Sequence, residues 1–369
     1  PELYGRWDRD GNGRPDILDE AEWGEQWLRK MQDPESGGLY PQVFSGYGFW
    51  GPPEQETDNV VGTADDRPIT GAPGDHEAAL AAAGFAALSR FLGGDEGAEA
   101  GDYLSRARRL YEIAGGGEVA GAGALARNLL AAMELQRATG EETYSADARA
   151  LAERLASLTM TEGENAGGFD VGEAKPYFDL CNQGLPAAAL ATFVERYRKD
   201  PVAHNAEGSL RAYAAWSVEQ AENPFEIFPH GPKEVLFRPF ADEKAWNVGQ
   251  NSQYLSQAWA MTLIARLTGD EAARRQAVRL LDSVLGCNPT DFCMFEGLGS
   301  RNLPKYHHRY SGIAGFERGA VPGCVPNGIT RPAPDLDMPF MSLDGDYHST
   351  EPWLPHNAYY VLLVSAWAK

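Results

Sequence analysis

Beyond residue 125, apolar side chains recur every three to four positions over much of the chain. Leu125, Leu129, Ala132 and Met133 form one such stripe, and Leu210, Tyr213, Ala214, Ser217, Val218 and Ala221 form another; both match the 3.6-residue period of an α-helix. A third stripe, Ala277, Leu280, Leu281, Val284 and Leu285, ends at Gly286, with Asn288 and Pro289 just beyond, which is the chemistry that stops a helix. Segments of this kind predict about ten helices, near residues 16–32, 76–92, 98–113, 121–139, 144–158, 183–198, 205–222, 250–267, 270–286 and 356–368. No comparable set of alternating strands is present, so the expected fold class is all-α. The Ala-rich segment from His76 to Leu92 lets neighbouring backbones approach closely, as stacked antiparallel helix pairs require. No repeat of fixed period is detectable.

Between the helices, Gly37 to Asp75 and Asn288 to Pro355 are rich in Gly, Pro and aromatic residues and far exceed the usual connection length. Long loops on a rigid scaffold usually carry function, although the first reads equally well as a covering loop without chemistry. With 369 residues, 43% of them apolar, the chain is long enough and apolar enough to bury a large core, and it is expected to fold throughout as one domain over residues 1–369.

Charge narrows the partners. The 53 acidic against 32 basic residues give a formal charge of -21, which repels a phosphate backbone or an anionic membrane surface, so neither nucleic acid nor membrane is expected. No run of 18 apolar residues exists. Pro1 to Asp10 show neither a basic start nor an apolar stretch, hence no visible signal peptide; export stays open, because such a peptide is removed on maturation. Cys181, Cys287, Cys293 and Cys324 lack metal-site spacing and read as core thiols, with a Cys287–Cys293 disulfide left open.

The strongest local signal is the segment Asp8-Arg-Asp10-Gly-Asn12-Gly13-Arg14-Pro-Asp16-Ile-Leu-Asp19. It fits a Ca²⁺ loop: Asp8, Asp10, Asn12, Asp16 and Asp19 supply side-chain oxygens, Arg14 a carbonyl, and Gly13 the sharp turn. Asp19 stands where the template has Glu. The competing reading is an Asx-rich turn that caps the helix beginning near Asp16. A cation here would pin the loop to its helix and take no part in catalysis.

Two segments in the last third carry chemistry. Glu351 lies in Tyr347-His-Ser-Thr-Glu351-Pro-Trp353-Leu-Pro-His356-Asn357-Ala358, where aromatic rings can exclude water from a carboxyl and offer sugar a stacking surface. Upstream, Gly299-Ser-Arg301-Asn302-Leu-Pro304-Lys-Tyr306-His307-His308-Arg309 gathers donors suited to sugar hydroxyls. Arg309 could equally hold a structural carboxylate, and His307 and His308 could be packing histidines. Glycoside hydrolysis needs a proton donor and a second carboxylate, set far enough apart in inverting enzymes to admit a water.

These segments resemble the two signature regions of family 9 glycoside hydrolases. In the first, Gly299, Arg301, His307 and Arg309 fill the family's Gly-x-basic and His-x-Arg places, with Tyr306 in the apolar position. In the second, Phe340, Tyr347, Glu351, Asn357 and Ala358 match, while Ser342, Thr350 and Trp353 depart from the pattern. Pro15 to Gln32, Asn247 to Ser252 and Leu285 to Pro289 extend the resemblance over nearly the whole chain.

The resemblance implies an (α/α)6 barrel, of which about ten of twelve helices are present here. It implies a secreted, bacterial-type enzyme that cleaves β-1,4-linked, cellulose-like glucan by inversion, with Glu351 as general acid and His307 and Arg309 contacting sugar. Tyr306, Trp353 and Trp246 are the candidate sugar platforms, each also readable as core packing. Calcium near the early helix fits the same picture.

The family's base comes from an Asp-Ala-Gly-Asp segment ahead of the early helix, and this sequence has none. An N-terminal truncation is the expected reason, ahead of a companion chain or a relative that has abandoned hydrolysis. Asp344 and Asp346 are the internal candidates for a replacement base. A carbohydrate-binding or scaffold protein is the alternative to an endoglucanase, and an exo-acting β-glycosidase or glucosaminidase a further one.

Overall fold

Each predicted stripe becomes a helix in the computed structural model, which describes residues 7–44, 49–93, 97–230, 235–238 and 248–368. The helices are α1 (Asp16–Met31), α2 (Ala78–Phe91), α3 (Ala98–Ile113), α4 (Ala122–Thr139), α5 (Glu142–Ser157), α6 (Leu185–Arg196), α7 (Pro201–Gln220), α8 (Asn251–Thr268), α9 (Glu271–Leu285), α10 (Tyr347–Thr350) and α11 (Leu354–Trp367). Strand is confined to β1 (Gln42–Val43) paired antiparallel with β2 (Ile69–Thr70) among the described residues. No helix among them is long and apolar enough to cross a membrane.

Helix ends follow the local chemistry. Asp270 caps α9 by accepting from the N–H groups of Ala272 and Ala273 at 2.8 and 3.1 Å. Gly140 and Gly269 close α4 and α8 in the left-handed region, at φ 73° and 71°, where a Cβ would be strained. The extra helix α10 is a single turn, too short for any period to announce.

The chain forms two compact units: Pro1–Gly46 with Arg67–Ser157 and Arg196–Ala206, and Tyr47–Asp66 with Leu158–Glu195 and Glu207–Lys369. In the first, α2 packs on α1, α3 and α4 through Ala78, Ala82, Phe85 and Ala86, all fully buried. Phe85 stacks on Tyr103 of α3 with centroids 5.5 Å apart. In the second, α8 is buried along Asn251 to Ala265, and α9 and α11 pack against it.

A helix enclosed on all sides must satisfy its polar side chains internally. Gln257 of α8 accepts from the Tyr213 hydroxyl at 2.7 Å and donates to the Ser217 hydroxyl at 2.5 Å, and Ser217 in turn donates to Gln276 Oε1 of α9 at 3.0 Å. Gly184 touches this helix backbone to backbone, and a Cβ there would overlap the Ser256 carbonyl. Gly184→Ala is therefore expected to cost about 1–3 kcal/mol, read as a lower melting temperature; an unchanged melt would show that α8 yields freely. All four cysteines are free thiols, so the Cys287–Cys293 bridge is not formed.

Candidate active site

Backbone pairing places Glu351. Asp346 caps α10 by accepting from the His348 N–H at 2.9 Å, and the turn releases Glu351 into extended backbone. Four backbone bonds then anchor the segment: Gly249 N to His348 O at 2.8 Å, Gly328 N to Ser349 O at 2.8 Å, His307 N to Thr350 O at 3.2 Å and Asn327 N to Glu351 O at 2.9 Å. Loops from 249, 307 and 327–328 thus converge on Glu351 and the three residues before it.

The Glu351 carboxylate is half-buried and accepts from the indole N–H of Trp353 at 2.8 Å. The Trp353 ring lies nearly parallel to that of His356, 4° apart with centroids at 5.9 Å. His356 is fully buried, hydrogen-bonded to Ser252 and, through Nε2, to Asn327 Oδ1 at 3.0 Å; burial holds its pKa down near 3, so it is a neutral, fixed support.

His307 sits beside this segment with Nδ1 2.8 Å from the Gly345 carbonyl, a contact that requires the proton on Nδ1 and leaves Nε2 as the second functional edge. Its ring is flanked by Trp50 at 4.8 Å and Tyr347 at 5.9 Å. Arg309 donates to both oxygens of Glu56, at 2.7 and 3.4 Å, and lies 5.8 Å from the Phe49 ring. The Glu56 side chain is only 6% exposed. The structural-carboxylate reading of Arg309 therefore describes its present partner.

His308 is spent locally, its Nδ1 accepting from the Tyr310 N–H at 3.2 Å, and burial lowers its pKa, assisted by Arg309 and His307. Asp346 also binds His348 Nδ1 at 2.6 Å, so the cap and the imidazole occupy one proposed replacement base. Asp344 is exposed.

Three sugar-platform candidates fare differently. Tyr306 is a correction: its ring is 0% exposed and its hydroxyl donates to Glu296 at 2.8 Å, inside a buried cluster where Arg318 grips Glu296 with two 2.7 Å bonds. No sugar can stack on it. Trp353 is half-buried, with its N–H committed to Glu351. Trp246 lies outside the described residues. Trp50 and Glu56, which the sequence reading missed, come from the first long loop; the aromatic run Phe49-Trp50 within it was the available signal.

The early acidic loop folds as a nest of Asx turns. Oxygens of Asp8, Asp10 and Asp16 lie within 4.8 Å of one another, and Gly11 and Gly13 take φ 72° and 85°. A hydrogen bond from the Gly13 N–H is the main reason Asp8 stays below the usual carboxylate range. Asn12 Oδ1 accepts from the Arg14 N–H at 2.7 Å, while Asp19 receives the Asn12 amide at 2.9 Å and the Arg14 guanidinium at 3.4 Å. Three all-oxygen ligands suit a hard cation; Asp19 and Asn12 are engaged with neighbours.

Known proteins resemble the chain over most of its length. A xyloglucan-specific endo-beta-1,4-glucanase of Bacteroides ovatus is 26% identical over 96% of the chain, and the chain spans 60% of that protein's length. A metagenome-derived glycoside hydrolase family 9 endoglucanase superposes with a TM-score of 0.70 at 22% identity, over 99% of this chain and 65% of its own. A cellulase of C. cellulolyticum, solved in complex with cellobiose, gives 0.65 at 19% identity, over 96% of this chain and 78% of its own. These likenesses bear out the all-α, (α/α)6 fold class. The model of glycosyl hydrolase family 9 matches residues 4–364, and the chain belongs to that family.

Proposed function

We propose that the chain is the larger part of a β-1,4-glucan hydrolase in which Glu351 protonates the departing glycosidic oxygen. The observation that carries this reading is the Glu351 carboxylate held by the Trp353 indole N–H, with the His307 loop hydrogen-bonded to the preceding residue. The indole fixes one oxygen and leaves the other free to present a proton. His307, with its Nδ1 proton committed to Gly345, offers Nε2 to a sugar hydroxyl. Arg309 shapes the same wall through Glu56.

The water-activating carboxylate is assigned to an Asp outside these 369 residues, on an upstream segment or a companion chain. Hydrolysis then inverts the anomeric centre. Xyloglucan and unbranched cellulose-like chains are the substrates to compare, since the relatives named above act on these. The first-formed reducing end is expected to be the α-anomer, seen by proton NMR before mutarotation; a β-anomer would remove the inverting mechanism.

A carbohydrate-binding protein that has lost hydrolysis is the second reading, favoured by the commitment of Asp346 to His348 and the α10 cap. Oligosaccharide binding without turnover, in the protein with its upstream residues, would establish it.

The same proposal gives Asp8, Asp10 and Asp16 a Ca²⁺, with the Arg14 carbonyl, Asn12 and Asp19 as further ligands. Chelation is expected to lower the melting temperature by several degrees, and Asp10→Ala to remove that response. A melt indifferent to chelator would leave the loop as an Asx cap.

A further inference from the structure

Asn327 holds both ends of the turn that delivers Glu351. Tyr347 opens α10, and Glu351 follows its last residue. The Asn327 side-chain amide donates to the Tyr347 carbonyl at 2.7 Å, and the Asn327 backbone N–H donates to the Glu351 carbonyl at 2.9 Å. One fully buried residue thus clasps the start and the finish of a single helical turn. A lone turn is not stable by itself, so the direction in which Glu351 leaves depends on what grips it from outside.

The clasp works only with the amide one way round. Turned over, it would set a carbonyl oxygen against the Tyr347 carbonyl, acceptor against acceptor. His356 decides the orientation: its Nε2 lies 3.0 Å from Asn327 Oδ1, and its Nδ1 is hydrogen-bonded to Ser252. Because Asn327 Nδ2 is committed to Tyr347, Oδ1 can only accept. The proton of the ring, kept neutral by burial, therefore sits on Nε2, and Ser252 donates to Nδ1.

Ser252 belongs to α8, so the ring ties a core helix to the loop at Asn327. The same helix meets that residue directly, the Asn251 N–H donating to the Asn327 carbonyl at 3.0 Å. Two routes lead from His356 to Glu351. One runs through the Asn327 amide to the turn; the other runs through the parallel Trp353 ring to the carboxylate. A hydrogen bond fixes direction, whereas a ring contact at 5.9 Å fixes only spacing.

We propose that His356 is a positioning residue for the acid: its Nε2–H sets the Asn327 amide, and the amide holds the α10 turn so that Glu351 faces the glycosidic oxygen. The inference rests on the reading of Glu351 as proton donor, and adds to it a fully buried residue that touches neither sugar nor the reacting atoms.

The test separates the two edges of the imidazole. His356→Gln puts an amide N–H where Nε2 stood and keeps the bond to Asn327; His356→Asn reaches only the Nδ1 position, keeps Ser252 and leaves Asn327 Oδ1 without its donor. Both lose the ring and its contact with Trp353, so both are expected to melt several degrees lower. In the protein with its upstream residues, His356→Asn is expected to lower kcat on soluble β-1,4-glucan by about tenfold to hundredfold at unchanged KM, and His356→Gln to stay within about threefold of wild type. Cleavage of a dinitrophenyl β-cellobioside, whose leaving group needs no proton, is expected to hold in both. Equal loss in the two variants, or equal loss on the two substrates, overturns the proposal, because loosened packing alone would give it; so does full polysaccharide turnover in His356→Asn. Nitrogen-resolved proton NMR of the wild-type histidines needs no variant to fold: the Nε2–H tautomer of His356 is expected, and Nδ1–H overturns the proposal. A wild type without turnover overturns the glycosidase reading beneath it, whereas an active wild type with an insensitive His356→Asn overturns the positioning role alone.

Discussion

In the protein with its upstream residues, Glu351→Gln is expected to lower turnover of soluble β-1,4-glucan by about a hundredfold to ten-thousandfold, the range set by losing a positioned proton donor. The substitution isolates that loss. A glutamine side chain has nearly the same shape, and its amide oxygen can still accept from the Trp353 indole, which now binds Glu351 at 2.8 Å. The backbone pairing of 348–351 with Gly249, His307, Asn327 and Gly328 does not depend on the side chain. Melting temperature should therefore hold while kcat collapses.

Leaving-group chemistry sharpens the expectation. A dinitrophenyl β-cellobioside departs without protonation, so its cleavage should fall far less than that of the natural polysaccharide. Reducing-sugar release measures one and dinitrophenolate absorbance the other. Equal loss on both substrates would mean that Glu351 orients sugar and donates nothing, and unimpaired polysaccharide turnover would remove it from the chemistry altogether.

How much of this was readable in the sequence depended on the distance over which each feature is determined. The stripe from Ala277 to Leu285 and its Gly286 stop lie within one helix, and α9 ends at Leu285 as the residues dictate. That the His307 loop and the Glu351 segment belong together was legible because chemistry, spacing and resemblance coincided there, and the His307 N–H does meet the Thr350 carbonyl. Partner identity was not. Glu56 meets Arg309 across 253 positions, and no local pattern could pair them. Tyr306 shows the same gap in reverse: a tyrosine beside histidines reads as a sugar platform until Glu296 and Arg318, 10 positions before and 12 after, are seen to bury its hydroxyl.

The last expectation concerns Glu25, which a helical wheel would place without comment. On α1 its carboxylate is buried against α2, where Gly84 leaves the room it occupies; a Cβ on Gly84 would overlap Oε1. Oε2 has no hydrogen-bond partner, and desolvation raises the pKa from 4.5 to about 8. The folded state thus holds a proton that the unfolded chain releases between these two values. Below pH 4.5 both states are protonated and the group is neutral toward folding. As pH rises toward 8 the unfolded state gains by ionising, stability falls, and above 8 the full penalty persists. The loss attributable to this one side chain is of order a few kcal/mol. Glu25→Gln removes the ionisation, so the variant's advantage over the wild type should be small near pH 5 and grow steadily toward pH 8. Urea unfolding of both proteins at pH 5, 6.5 and 8 gives the difference directly. A difference that stays constant across the three pH values would mean that water or a cation reaches the carboxylate in solution, and that α1 does not enclose it.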